Sequence, residues 1–182
     1  DFVSTASMSD HCPVITLNGV SKVYFAPGWR IGYMAWHDPS GVLEHVKDGV
    51  ERILRSRLCA STPAQYGYLA GLSEDSNWMH QHRSRIKERL DFSINRINEI
   101  DGIECQAPRG GFYLFVKISD SNLASDDKKF VLDLLHSKHV LVVHGSGFSP
   151  EFGKGHFRMV CLPDIEILSE AFDRIESFLR EN

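Results

Sequence analysis

The chain has 182 residues and a formal net charge of −4, from 20 Lys and Arg against 24 Asp and Glu. Hydrophobic residues make up 42% and charged residues 24%, with 11 Phe, 5 Tyr and 3 Trp to build a core, which excludes disorder as the main state. No apolar run approaches the roughly 20 residues a bilayer span requires, and the mildly acidic balance gives no global attraction for nucleic acid. Cys12, Cys59, Cys105 and Cys161 are widely spaced, with no Cys-x-x-Cys pair. Neither a zinc ribbon nor a disulfide scaffold is expected, and the reading is free thiols in a reducing, cytoplasmic setting. Residues 1–13 lack the basic start and apolar stretch of a signal peptide, and the chain does not begin with Met.

Val14 to Leu17 is a β-favouring run that ends at the turn signal Asn18-Gly19. Ile31 to Trp36 is a second, closed by Asp38-Pro39-Ser40-Gly41. From Val42 the period changes: Leu43, Val46, Val50 and Ile53 fall on one helical face. Residues 61–72 read as another helix, with Ser61 or Thr62 as cap and Pro63 at its first position. The longest helical pattern runs from about Ser76 to Ile100, striped by Met79, Ile86, Leu90, Ile94 and Ile97 and stopped by Asp101-Gly102. Its basic residues from His80 to Arg89 are interleaved with acids further along and read as a solvated face, not a nucleic-acid surface.

The last third alternates. Phe112 to Val116 is a strand, Asp126 to Ser137 a helix, and Val140 to Val143 a strand that reads as covered on both faces. Phe157 to Leu162 is a further strand. Asp164 then caps a final helix striped by Ile165, Leu168, Phe172, Ile175 and Leu179. The alternation predicts an α/β or α+β layer. His80 with His82, and His136 with His139, have no third ligand in register, so no metal site is expected. Ser146 lacks the Gly-x-Ser-x-Gly spacing of a nucleophile elbow.

The segment most able to carry chemistry is Asn18 to Tyr33. Lys22 follows a strand, and Arg30 comes eight residues later, behind Pro27-Gly28-Trp29 and directly before the next strand. A lysine so placed is either a solvated loop residue or a desolvated amine, whose neutral form attacks an aldehyde. Arginine offers a rigid fork to a phosphate or carboxylate. Physics alone leaves both readings of the lysine open.

The stretch Gly19-Val20-Ser21-Lys22 through Gly28-Trp29-Arg30-Ile31-Gly32-Tyr33 resembles the lysine signature of class I/II aminotransferases, fold-type-I enzymes that use pyridoxal 5′-phosphate (PLP). Gly110-Gly111-Phe112-Tyr113-Leu114-Phe115 resembles the family's glycine-aromatic strand. His144-Gly145-Ser146-Gly147-Phe148 resembles its loop that approaches substrate, and Gly155-His156-Phe157-Arg158-Met159 its strand bearing the substrate arginine. The resemblance spans essentially all of the chain and is nearest the aspartate/alanine aminotransferase-like group.

It implies that Lys22 is the Schiff-base lysine and proton-transfer base, that Arg30 binds the coenzyme phosphate, and that Arg158 holds the substrate α-carboxylate. Gly19 stands where many members have a phosphate-binding Ser, and Ser21 is the substitute; Phe25 is bulkier than the residue usual at its position. The substrates implied are an amino acid and a 2-oxo acid, and the intact protein is expected to be a homodimer. Other PLP chemistries on the same fold, such as β-lysis, and a non-catalytic ligand-sensing module are the alternatives.

The fold implied is the C-terminal part of the PLP-binding large domain, residues 1–72. The long linking helix and the small α+β C-terminal domain follow as residues 73–182. The family's upstream half, with its phosphate loop and ring-nitrogen Asp, has no counterpart in the 21 residues before Lys22; Asp1 and Asp10 stand too near that lysine in sequence for the role. The chain is therefore expected to be a fragment, weak in catalysis by itself, with an exposed edge on Val14 to Leu17.

Overall fold

A computed structural model describes residues 3–73 and 77–182. They form two compact units, one ending at Ser76 and one beginning at Asn77. The start expected for the long helix, Ser76, lies outside the described residues, as does Asp1.

The first unit is built on an antiparallel ribbon. β1 (Val14–Gly19) pairs with β2 (Gly32–His37) from Val14↔His37 to Gly19↔Gly32. Among the described residues β1 has no other strand partner, so its outer edge is open, as expected. The ends of the ribbon close at two glycines for a steric reason: a Cβ on Gly32 would sit 2.4 Å from the Asn18 carbonyl oxygen. Between the strands lies a one-turn helix, α1 (Val20–Val23), followed by a 3-10 turn over Pro27–Trp29.

α2 (Glu44–Arg57) and α3 (Thr62–Ser73) complete the unit, with Pro63 in the first turn of α3. A small core joins Val20, Ile31, Ala64 and Tyr68, with Tyr24 and Ala26 packed against it. The Leu43–Val46–Val50–Ile53 face of α2 is present, but it buries nothing, and Ile53 is 71% exposed.

The second unit is a four-stranded antiparallel sheet in the order β3 (Ile103–Glu104), β4 (Tyr113–Ile118), β6 (His156–Val160), β5 (Val143–His144). Its helices are α4 (Asn77–Glu99), α5 (Ser121–Ala124), α6 (Asp127–Lys138) and α7 (Ile165–Glu181). The expected stripes meet here: Ile97 of α4 and Leu168, Phe172 and Ile175 of α7 pack in one core with Leu114, Val116, Phe157 and Leu134. The period-2 alternation of β4 and β6 sends Leu114, Val116, Ile118, Phe157 and Met159 into this core. Tyr113, Phe115, Lys117, His156, Arg158 and Val160 alternate with them and take the opposite face.

Three expectations are corrected. Val140 to Val142 is not a strand covered on both faces: Val140 and Val142 are buried while Leu141 is 75% exposed, and pairing begins only at Val143. Asp164 caps α7 through its backbone carbonyl, which accepts from Leu168 N at 3.0 Å. Its side chain makes no cap bond and is taken by an ion pair with Arg89 of α4. Arg96, also from the basic helix, binds Asp173 and Glu176 of α7. Part of that basic face is thus inter-helix glue and not solvated surface.

Candidate active site

In the first unit the ribbon brings the signature residues to one end. Gly19 and Gly32 are register partners; Ser21 and Lys22 follow the first by two and three residues, and Arg30 precedes the second by two. The loop is held by Val20 N donating to Ile31 O at 3.3 Å and by burial of the Val20 side chain. Arg30 adopts a left-handed backbone conformation, φ 52°, ψ 40°, and its Nη1 donates to Pro27 O at 2.8 Å. Non-glycine residues rarely hold that conformation; the Pro27–Trp29 turn imposes it, and Trp29 lies against Gly67, where a Cβ would meet the indole at 2.5 Å. Phe25 is likewise left-handed, φ 51°.

Lys22 is exposed, as is Arg30, and Ser21 is half-buried. Lys22 sits on a one-turn helix whose buried position is taken by Val20. Beneath, Tyr68 lies against Tyr24 and Tyr33 at ring separations of 5.6 and 5.8 Å, and burial pushes its hydroxyl pKa up, with the other two tyrosines adding to the effect. Tyr24 donates to Gly71 O at 3.1 Å, pinning α1 to α3.

As a donor set, this end of the ribbon suits PLP. A hydroxyl, an ammonium and a guanidinium on one short loop offer hydrogen bonds and positive charge to a phosphate, and the ammonium becomes a nucleophilic amine when it loses a proton.

In the second unit, Arg158 stands on the open face of the sheet, opposite Phe115 on β4 and Val143 on β5. Its Cζ lies 4.6 Å from the Tyr113 ring centroid and 4.4 Å from that of Phe148. Its Nε is buried and has no hydrogen-bond partner among the described residues. A guanidinium flanked by two aromatic rings still has N–H groups to offer an oxyanion in its own plane.

His144, Ser146 and Asp127 also meet in this unit, but not in the order of a nucleophilic triad. The Ser146 hydroxyl and backbone N–H donate to Asp127 Oδ1 and Oδ2 at 2.7 and 2.8 Å. His144 Nδ1 accepts from Gly147 N at 3.1 Å. The Ser146 hydroxyl thus lies between the Asp127 carboxylate and His144 Nδ1, 3.0 Å from the latter, an order in which serine and not histidine touches the acid. Tyr113 and Phe148, the flanking rings, were not singled out by sequence: each lay inside a noticed motif, but only strand register shows that they share Arg158. Asp127 carried no signal beyond an acid at a helix start.

Among the described residues no group of three His, Cys, Asp or Glu is placed to hold a metal, and no helix is long and apolar enough to cross a membrane.

The chain as a whole is similar to known enzymes. Residues 1–175 match the family model for aminotransferase class I and II, and the chain belongs to that family. Glutamate-pyruvate aminotransferase AlaA of Haemophilus influenzae is 35% identical, over 97% of this chain and 44% of that protein. The alanine aminotransferase of Mycobacterium tuberculosis is 32% identical over 97% of this chain and 42% of its own length. The solved alanine aminotransferase from Pyrococcus furiosus superposes with a TM-score of 0.93 at 49% identity, covering 99% of this chain and 45% of that one. The chain therefore spans less than half the length of these relatives, and its architecture is a partial fold-type-I fold. Class I and II aminotransferases are PLP-dependent enzymes.

Proposed function

We propose that the protein carrying this chain catalyses PLP-dependent transamination between an amino acid and a 2-oxo acid. The observation that carries the reading is the gathering of Ser21, Lys22 and Arg30 at the closed end of the β1–β2 ribbon. The names of the relatives favour alanine and glutamate as amino donors, with pyruvate and 2-oxoglutarate as their oxo-acid counterparts. Residues 1–72 are assigned to the PLP-binding domain and residues 73–182 to the linking helix and small domain. The protein is further proposed to be a cytoplasmic homodimer.

Each residue has a distinct task. Ser21 and Arg30 bind the coenzyme phosphate; Arg30 Nη1 already donates to Pro27 O, which orients the guanidinium, and its remaining N–H groups serve the ligand. Lys22 would hold the coenzyme covalently, and its Nζ, as a free amine, would take the proton from the substrate α-carbon. Arg158 binds the α-carboxylate and so fixes which α-bond is presented for cleavage. The bound pyridine ring supplies the electron sink that makes the α-proton acidic.

Two measurements test this. Borohydride reduction of the full-length protein after incubation with PLP, followed by peptide mass spectrometry, is expected to find the coenzyme on Lys22; attachment at another lysine, or at none, overturns the assignment. With L-alanine and 2-oxoglutarate, pyruvate and glutamate are expected in equal amounts, whereas a serine or cysteine derivative releasing pyruvate with ammonia would move the protein to the β-lyases.

A further inference from the structure

Asp127 is 3% exposed, yet the proposed reaction gives it no task. It is the first residue of α6, where the helix dipole favours an acid, but the capping duty belongs to its neighbour: Asp126 accepts from Lys129 N at 2.9 Å. Asp127 instead turns both carboxylate oxygens on one residue, Ser146, gripping its backbone N–H at 2.8 Å and its hydroxyl at 2.7 Å.

Ser146 is the middle of the 3-10 turn Gly145–Gly147. The turn is also held from behind. Gly145 packs so closely on Gly153 that a Cβ would lie 2.2 Å from the Gly153 carbonyl oxygen. Phe148 N and Ser149 N both donate to Gly145 O, at 2.9 and 3.3 Å. What emerges from the turn is Phe148, which flanks the Arg158 guanidinium and meets Phe115 edge-on at 6.2 Å. Phe148 is itself 51% exposed, so the turn, and not burial, determines where its ring stands.

We infer that Asp127 and Ser146 are positioning residues for Arg158: their clasp sets the Gly145–Gly147 turn so that Phe148 stands against the guanidinium that Tyr113 also touches. The two rings limit the rotamers of a long side chain and shield part of it from water, so that its guanidinium is held ready for a carboxylate. The inference rests on the reading of Arg158 as the carboxylate site. Replacing Ser146 by Ala removes one of the two bonds and leaves a buried carboxylate oxygen without its donor, which strains the turn without emptying a core.

The test is NMR of the isotope-labelled chain, followed at the Arg158 Nε–H resonance, which two adjacent ring faces displace from the ordinary arginine position. Phe148→Leu calibrates the ring contribution. Ser146→Ala and, as a second and isosteric variant, Asp127→Asn are expected to move the resonance at least halfway to its Phe148→Leu position. Ser146→Thr, which keeps the hydroxyl, is expected to leave it in place. Protection of the buried Cys161 thiol from labelling shows in each case that the unit remains folded.

If both variants are folded and leave the resonance at its wild-type position while Phe148→Leu moves it, the clasp does not position the ring and the inference falls. Titration of the full-length protein with 2-oxoglutarate separates the two layers. Ser146→Ala is expected to weaken its effect on the Arg158 resonance roughly 3- to 30-fold, the range of one cation–π contact. If 2-oxoglutarate does not perturb Arg158 in the wild-type full-length protein, the carboxylate reading fails, while the variants still decide whether the clasp holds Phe148.

Discussion

Gly145→Ala is the most direct probe of how tightly the Arg158 loop is built. The added Cβ would lie 2.2 Å from Gly153 O and 2.9 Å from both the Cβ and the carbonyl oxygen of His156. Two of these three neighbours are backbone, so no side-chain rotation relieves the clash. The turn and the Gly153 segment must separate by roughly 1 Å, against the two hydrogen bonds that Gly145 O accepts and the His144↔Phe157 pairing. Overpacking of this kind costs about 1–3 kcal/mol. A tenfold change in an equilibrium constant is about 1.4 kcal/mol, so the open population of the second unit is expected to rise roughly 5- to 150-fold.

Cys161 supplies the assay. It is fully buried, its N–H donates to Phe112 O at 2.9 Å, and burial pushes its thiol pKa up, so it reacts only when the unit opens. Its labelling rate in low urea, where opening and closing outpace the chemistry, tracks the open population. Gly110→Ala is the control, since a Cβ there meets nothing within 4 Å. A Gly145→Ala chain whose Cys161 labels within about twofold of wild type would refute the packing argument.

Ellman's reagent on the native chain is expected to consume Cys12 and Cys59 quickly, both being exposed, with Cys105 and Cys161 lagging because burial raises both thiols; four equally fast thiols would contradict this. Glu176 is held below its ordinary value of 4.5, first by its hydrogen bond from Arg96, and Lys138 and Lys117 do the same for Glu181 and Glu104. Because the folded pKa values are the lower ones, this stabilisation is complete above the unfolded value and is lost as pH falls through the folded one. Urea midpoints are therefore expected to drop below about pH 4.5, with a shallower drop for Arg96→Met; identical slopes would remove Arg96 from the account. For Gly67→Ala, helix propensity gains about 1 kcal/mol while the half-exposed Trp29 ring must swing aside. The expectation is a red shift in Trp29 emission with little change in stability; an unchanged spectrum would show that the indole does not rest there.

Sequence alone determined whatever depends on near neighbours in the chain. The stripes of the helices later seen as α4 and α7 could be read because i, i+3 and i+4 positions share a face whatever the fold. The Lys22 to Gly32 signature could be read because its residues are contiguous and their order is itself the motif. Tertiary structure decided the rest, because those features depend on partners far away in the chain. Asp164 read as a side-chain cap, but Arg89, 75 residues upstream, competes for its carboxylate and wins. Val140 to Val143 read as a doubly covered strand, yet only the fold shows that Leu141 is exposed and that pairing begins at Val143. The setting of Arg158 is the clearest case. Tyr113, Phe148, Ser146 and Asp127 lie within the 45 residues of chain before it, and strand register and one turn bring them into a single cluster. No local pattern encodes that meeting, since the forces responsible — burial, cation–π attraction and hydrogen bonds to a buried carboxylate — act only once the chain has folded.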